Sequence, residues 1–221
     1  MNKRDLMLGF LDPQYKSPYI PAAFFLHFDP HFHRGQPAID KHLEFFRYTG
    51  MDFVKIQYEL AFPTQPEIQK PDDWANLQLP DDDFYQDQWD LAAGLVQAAG
   101  KDALVLMTLY SPFMCAGQIA DKDRVLAHLQ QDPESFKKGI QRITDSLLAF
   151  VRGCIQRGID GFYHSTQGAE TFRLGGSPWF DACIKPYDLA LMQEINQTSG
   201  FNILHICDYH GGYSDLSPFL D

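Results

Sequence analysis

Long hydrophobic runs are missing from this 221-residue sequence. No apolar stretch approaches the roughly 20 residues that a membrane-spanning helix needs, and the opening residues 1–6 lack the apolar core of a secretion signal. Basic residues are also scarce, since 18 Lys and Arg stand against 29 Asp and Glu, for a formal net charge of −11. Binding to a phosphate backbone requires clustered Lys and Arg. The sequence therefore predicts a cytoplasmic protein with neither a membrane nor a nucleic acid as its partner.

Cysteine is rare, and the glycine-rich loops that bind nucleotides are absent. The chain has 4 cysteines, which without a secretion signal are predicted to be buried thiols or metal ligands rather than a disulfide framework. No Gly-x-Gly-x-x-Gly follows the first predicted strand, and no Walker loop occurs. These absences leave nucleotide binding in an open sheet without support.

Short apolar runs alternate with segments of helical periodicity along the whole chain. The helical segments are predicted at Pro37–Tyr48, Gln86–Ala99, Pro133–Arg157 and Phe180–Thr198. This alternation favours a parallel sheet covered by helices, folded as one domain over residues 1–221. The predicted strands are Ala22–Phe28, Phe53–Tyr58, Ala103–Leu109, Gly161–His164 and Asn202–Cys207.

Polar and ionisable side chains collect where these strands end. Glu59, Tyr110 and Gln167 each follow a predicted strand, as do further His, Asp and Ser residues. Enzymes with a (β/α)8 TIM barrel build their active sites from such strand ends. Five predicted strands are fewer than the eight of a closed barrel, so we expect an α/β barrel that is incomplete.

Residues 61–83 form a long irregular connection, rich in Pro, Asp and Gln. A connection of this length is unusual inside a compact domain unless it has a function. We interpret it either as a lid or substrate loop across the barrel's mouth or as a surface insertion without function.

His205 and Cys207 lie two residues apart at the end of the last apolar strand. Alternate residues of a strand face the same way, so the imidazole and the thiol point into one space. Zinc accepts nitrogen and sulfur ligands and keeps an open position where it is catalytic. The pair therefore indicates part of a zinc site, although a His and a Cys at this spacing also occur in strands that bind no metal.

Several short motifs, in the same order along the chain, resemble those of the uroporphyrinogen decarboxylase superfamily. Residues 50–54, Gly-Met-Asp-Phe-Val, are similar to the family's entry into its second strand, and residues 111–117, Ser-Pro-Phe-Met-Cys-Ala-Gly, to the turn after its third. Residues 158–162, Gly-Ile-Asp-Gly-Phe, resemble the entry into the fourth strand. His205-Ile206-Cys207 looks like the zinc motif of the corrinoid-dependent methyltransferase branch of this superfamily.

The resemblance implies a TIM barrel of the uroporphyrinogen decarboxylase type that is truncated at its C-terminus. It also implies zinc as cofactor, bound by His205 and Cys207 with a third thiolate beyond residue 221, and a methyl group supplied by a partner corrinoid protein. The acceptor would be a small-molecule thiol. Tyr110, Gln167 and Glu170 are then candidates for orienting the substrate, and Tyr209 or His210 for supporting the metal-bound imidazole.

Two other functions stay open. Family members that decarboxylate uroporphyrinogen carry several arginines after the first strand and an aspartate after the second, whereas this chain has Arg34 alone and Glu59 in those places. A tetrapyrrole substrate with many carboxylates needs cationic partners, so this activity is in doubt. If the chain is nevertheless a decarboxylase, Glu59 takes the aspartate's role. The remaining alternative is a non-catalytic, truncated remnant.

Overall fold

In the part of the chain that the structure describes, four strands build one parallel sheet and pair in the order in which they follow along the chain. The computed structural model describes residues 2–17, 19–170, 172–174 and 176–207. Hydrogen bonding is in continuous register, with Lys55 beside Leu106 and Leu106 beside Gly161. Such a parallel arrangement needs crossover connections, which the intervening helices supply. The strands are β1 (Val54–Ile56), β2 (Val105–Tyr110), β3 (Gly161–Thr166) and β4 (Ile203–Ile206).

Helices precede or follow each strand. Several have an N-cap side chain that satisfies a free backbone N–H; Ser111 caps α4, Asp121 caps α5 and Asp132 caps α6. In the part of the chain that the structure describes, no helix has the length and apolar character needed to cross a bilayer. The helices are α1 (Lys3–Gly9), α2 (Gly35–Thr49), α3 (Gln86–Ala99), α4 (Pro112–Ile119), α5 (Lys122–Gln131), α6 (Pro133–Gln156), α7 (Pro178–Cys183) and α8 (Lys185–Thr198).

Alternating side chains divide the sheet into two faces. Val105, Met107 and Leu109 of β2 belong to the main core cluster, which includes the apolar stripe of α6. Leu104 and Leu106 point the other way, into a second cluster with residues of α1. We call this second side the inner face, because it corresponds to the interior of a barrel. It carries the polar residues discussed below.

Helix α1 closes the amino end of the inner face. Its Leu6 and Met7 are buried against Phe53, Leu104 and Leu106. Arg4 and Asp160 anchor the helix through paired hydrogen bonds of 2.9 and 2.5 Å.

The first predicted strand, Ala22–Phe28, is not part of the sheet. It has no regular secondary structure, and the sheet of the described residues has four strands instead of the five predicted. Its backbone is held by one backbone hydrogen bond, from the N–H of Asp52 to the carbonyl of Ala22 at 2.9 Å, and otherwise by side chains. The Asp52 carboxylate accepts from the N–H of Ala22 at 2.7 Å, and the Glu59 carboxylate accepts from the N–H of Phe28 at 2.8 Å.

Two further predictions of secondary structure, one helix and one turn, need correction. The segment Phe180–Thr198 is two helices, separated at Ile184. Pro186 is the reason, because it has no N–H to continue the hydrogen bonding of the preceding helix and instead lies in the first turn of the next one. The predicted turn at residues 111–117 is the first part of helix α4, which has Pro112 at its first position.

The long connection 61–83 packs into the protein instead of forming an open loop. It contains two 3-10 helices, Pro71–Asn76 and Asp82–Tyr85. Trp74 is fully buried in the core cluster and donates to His128 Nδ1 of α5 at 3.0 Å. Arg142 of α6 holds the carbonyl of Leu77 at 2.8 Å. These contacts attach the segment to helices α5 and α6, and its role as a substrate loop or as an insertion without function stays a prediction.

The core is tightly packed around Gly153 of α6. A Cβ atom there would lie 2.1 Å from the Trp89 indole, whereas one at Gly117 of α4 would meet only Lys122 at 3.4 Å. Alanine improves helix propensity at both positions by about 1 kcal/mol. We expect Gly117→Ala to stabilise the protein and Gly153→Ala to destabilise it by about 1–3 kcal/mol through overpacking. Urea denaturation measures both, and equal shifts in the same direction would contradict the packing.

Asp188 of α8 makes stability depend on pH. It is buried and accepts a hydrogen bond from Thr166 Oγ1, and burial raises its pKa from 3.8 to about 7. The folded protein therefore keeps a proton that the unfolded chain loses, and this contribution to stability falls as pH rises from 3.8 to about 7.

We expect Asp188→Asn to raise the thermal unfolding midpoint at pH 8 and to have little effect at pH 4. Asn stays uncharged over this range, as the buried carboxyl does only at low pH. Asp181→Asn, on the exposed surface of α7, is the matched control. A gain of Asp188→Asn that is the same at both pH values would show that its carboxyl is ionised throughout.

Candidate functional site

A cavity of about 220 Å³ opens on the inner face of the sheet. It lies above the apolar plug of α1, towards the carboxyl ends of the strands, where barrel enzymes place their active sites. Phe25 is 46% exposed at its edge, so the cavity is accessible from solvent. The cavity is lined by Phe25, Lys55, Thr108, Tyr110, Tyr163, Ser165, His205 and Cys207.

Strand register brings the lining residues together in rows. Tyr110 of β2 is paired with Ser165 of β3, and Ser165 is paired with His205 of β4. Thr108 and Tyr163 form the row beneath. Residues far apart in the sequence thus become direct neighbours because each occupies the same position along its own strand.

His205 has a defined hydrogen-bond partner. Its Nδ1 lies 3.1 Å from the hydroxyl oxygen of Ser165, which leaves Nε2 as the ring atom for a ligand. Burial, and to a smaller extent the charge of Lys55, lowers the pKa of His205. The imidazole is therefore neutral at neutral pH, as metal binding requires.

Cys207 is held by a chain of polar side chains. Gln167 Nε2 donates to its sulfur at 3.5 Å. Arg173 donates to the oxygen of the same amide at 3.3 Å and to Glu170 at 2.9 Å. Glu170 is 1% exposed and also accepts from the N–H of Gly168 at 2.6 Å. Gln167 thus contacts the thiol directly, whereas Glu170 acts through Arg173.

Tyr110 contributes an aromatic wall. Its ring stacks on Tyr58 with the centroids 4.0 Å apart and an interplanar angle of 16°. Tyr58 is buried, and burial raises the pKa of its hydroxyl well above 10.0. The stack gives Tyr110 a defined orientation at the carboxyl end of β2.

Glu59 lies outside this cavity. Its carboxylate accepts hydrogen bonds from His27 Nδ1 at 3.1 Å and from the N–H of Phe28 at 2.8 Å. It lines a separate cavity of about 270 Å³ that also includes Arg34 and Asp87. The structure therefore brings Tyr110, His205 and Cys207 together, with Gln167 and Glu170 behind them, but not Glu59.

Sequence reasoning missed Lys55. It lies on the inner face of β1, is 3% exposed, and places its Nζ 4.6 Å from the centroid of Phe25 and 4.5 Å from that of Tyr163. Burial lowers its pKa from 10.5 to about 8. The sequence could have indicated this residue, because Lys55 lies inside the apolar run Phe53–Ile56 and a charged residue in a buried strand is rare. Arg173 was missed as well, and Ser165 was noted only as a polar residue at a strand end, without its contact to His205.

The chemistry of His205 and Cys207 fits zinc, but the set of ligands is incomplete. Both residues line the cavity, and their donor atoms are the nitrogen and sulfur that zinc prefers. Within residues 2–207, apart from the few not described, no third His, Cys, Asp or Glu joins them in a group able to hold a metal. Tyr209 and His210, predicted as supporting residues, lie outside the described residues.

Comparison of the sequence with protein families identifies the family to which this chain belongs. Residues 49–217 match the sequence profile described as uroporphyrinogen decarboxylase (URO-D). The chain belongs to the uroporphyrinogen decarboxylase family. Comparison of the sequence with curated proteins finds no match.

The fold of this family member is similar to that of a methyltransferase from Methanosarcina mazei. The TM-score is 0.64 at 13% sequence identity, and the similarity covers 81% of this chain and 58% of the other. At this identity the likeness is one of fold. The chain thus has the α/β architecture of the uroporphyrinogen decarboxylase barrel, present here as an incomplete barrel that spans little more than half of the methyltransferase's length.

Arg173 balances the buried charge of Glu170 in this uroporphyrinogen decarboxylase family protein. We expect Arg173→Met to destabilise the protein by about 2 kcal/mol, because it leaves a buried carboxylate without its cation. The cost is below that of a fully buried pair, since the Arg173 side chain is 15% exposed. The double variant Arg173→Met/Glu170→Gln removes both charges and should recover part of the loss. A double-mutant cycle by urea denaturation measures the coupling, and additive effects would argue against it.

Proposed function

We propose that this protein belongs to a methyltransferase of the uroporphyrinogen decarboxylase family that uses zinc to transfer a methyl group from a corrinoid protein to a thiol. The observation that carries the proposal is the pair His205 and Cys207, which face the same cavity at the carboxyl end of the sheet. Each has a hydrogen-bond partner, Ser165 for the imidazole and Gln167 for the sulfur. Partners of this kind orient metal ligands and set the tautomer of the histidine.

The proposed chemistry needs an activated thiol and a methyl donor. Zinc bound by His205 and Cys207, with a third ligand from outside the described residues, would hold a substrate thiol as its thiolate, which is nucleophilic at neutral pH. The methyl group would come from cobalt in a partner corrinoid protein. The cavity of about 220 Å³ is large enough for a small thiol, and the donor would meet it at the carboxyl ends of the strands.

The chain's own residues would position the acceptor. Tyr110, stacked on Tyr58, supplies a flat apolar wall beside the row that contains Ser165 and His205. Gln167 donates its N–H to the sulfur of Cys207 and so orients that ligand. Glu170 supports Gln167 through Arg173 and would not contact the substrate.

Uroporphyrinogen decarboxylation is a weaker proposal for this chain. It would need Glu59 to face a tetrapyrrole, but the Glu59 carboxylate is 5% exposed and bonds to His27 and Phe28. Its cavity contains Arg34 as a cation but also Asp83 and Asp87, whose charges oppose the binding of carboxylates. These contacts favour a role for Glu59 in holding the segment before α2.

Metal binding tests the proposal directly in the chain as it stands. We expect Co²⁺, used as a spectroscopic substitute for zinc, to bind with near-ultraviolet absorption from a thiolate ligand. Cys207→Ser should abolish this absorption, and His205→Ala should weaken binding by at least about tenfold, because each variant removes one ligand. Cys183→Ser, which changes a buried cysteine of the core cluster, is the control and should bind as the native protein does.

Methyl transfer provides the second measurement. Methylcobalamin and a small thiol are incubated with the zinc-loaded protein, and loss of the cobalt-bound methyl group is followed by absorbance. Metal binding that is unaffected by either variant would overturn the ligand assignment. Metal binding at His205 and Cys207 without methyl transfer would favour the third possibility, a remnant that has kept the site but lacks catalysis.

A further inference from the structure

Among the residues that the structure describes, Lys55 is the buried cation of the cavity whose position the proposed zinc chemistry does not explain. Among the described residues, no Asp or Glu lies within ion-pair distance of its Nζ. Its contacts are instead the faces of Phe25 and Tyr163 and the amide oxygen of Gln57 at 3.5 Å. A lysine without a counter-ion in a cavity is costly to keep charged. It therefore has the surroundings of a reactive amine.

We propose that Lys55 is a nucleophilic amine that forms a reversible imine with a small aldehyde or ketone bound in the inner-face cavity. This proposal is independent of zinc and of methyl transfer, since Lys55 is not among the metal donors. It gives the cavity a second proposed class of ligand, a carbonyl compound, beside the thiol.

Burial and charge favour the reactive form of the amine. Desolvation lowers the pKa of Lys55 to about 8, while the more distant Glu59 carboxylate raises it by a smaller amount. About a quarter of amines with this pKa are neutral at pH 7.5, against roughly one in a thousand for an ordinary lysine. Lysines activated by desolvation in this way form Schiff bases in other enzymes.

The cavity also offers room and hydrogen-bond donors for a carbonyl group. Its volume of about 220 Å³ holds a molecule of several non-hydrogen atoms. Thr108 lines it with a buried hydroxyl that has no hydrogen-bond partner in the part of the chain described. Burial raises the pKa of Tyr163, so its hydroxyl stays a proton donor. The exposed edge at Phe25 gives access from solvent.

The reaction is balanced without a further reactant. The neutral amine of Lys55 attacks the carbonyl carbon, a C–N bond forms, and a proton passes from nitrogen to the former carbonyl oxygen. The resulting carbinolamine then loses water as the C=N bond forms. Hydrolysis reverses both steps, so the adduct persists only if it is reduced.

The test is chemical trapping in the native, full chain. The protein is treated with chelator to remove metal, incubated with propanal and sodium cyanoborohydride, and digested, and each lysine is quantified by mass spectrometry. We expect the propyl adduct to form on Lys55 at least about tenfold faster at pH 7.5 than on the exposed Lys101 and Lys138, because of its larger neutral fraction.

The pH profile distinguishes an activated lysine from one that is merely accessible. Labelling of Lys55 should level off near its pKa of about 8, whereas labelling of Lys101 should keep rising towards more alkaline pH. Lys55→Met should lose this adduct alone and remain folded by circular dichroism. If that variant fails to fold, the labelled position in the native protein still decides the question.

Labelling of Lys55 that is no faster than that of Lys101 and Lys138, or that follows the same pH profile, would overturn the proposal. The measurement uses metal-free protein and no thiol. Its failure therefore says nothing against the zinc proposal, and failure of Co²⁺ to bind says nothing against the imine.

Discussion

The alternation of side chains along in-register parallel strands is the constraint on which the rest of this structure depends. Val105, Met107 and Leu109 point into the helical core, so Thr108 and Tyr110 must point to the inner face. A shift of one residue in any strand would exchange the two sets and bury polar groups in the apolar layer. The same register that builds the core therefore assembles the cavity.

The amino end of the sheet is closed, and this closure determines where chemistry can occur. Asp160 binds the Arg4 guanidinium and also accepts from the N–H of Val105 at 2.9 Å, so one carboxylate joins α1, β2 and the start of β3. The apolar side chains of α1 fill the space beneath Leu106. Among the described residues, the lining changes from Leu and Phe to Tyr, Ser and His towards the carboxyl end, so the groups able to bind a ligand lie there. The charged side chain of Lys55 lies just above this apolar layer, on the same side as the polar lining.

Much of the fold could be predicted from the periodicity of apolar residues. The predictions failed where hydrogen bonds from individual side chains take the place of backbone hydrogen bonds between strands. Helix α3 was predicted at its observed bounds, because its apolar spacing and the following Gly100 are local signals. Ala22–Phe28 has the composition of a strand, but Asp52 and Glu59 bind its N–H groups instead of a neighbouring strand. Composition alone does not predict such long-range side-chain bonds. The packing of the irregular segment 61–83 was not predicted for a similar reason, since Trp74 finds its partners on α5 and α6.

The sequence by itself determined the family, the alternation of strands and helices, and the placement of His205 and Cys207 on one side of a strand. These properties depend on residue order and on the two-residue period of a strand. Only the tertiary structure decided which predicted residues meet. It separated Glu59 from the cavity, placed Glu170 behind Arg173, and put Lys55 between Phe25 and Tyr163. The physical reason is that register and the crossing helices determine which residues are neighbours across a parallel sheet. The surrounding elements determine which residues are buried. Neither property is encoded in a local stretch of sequence.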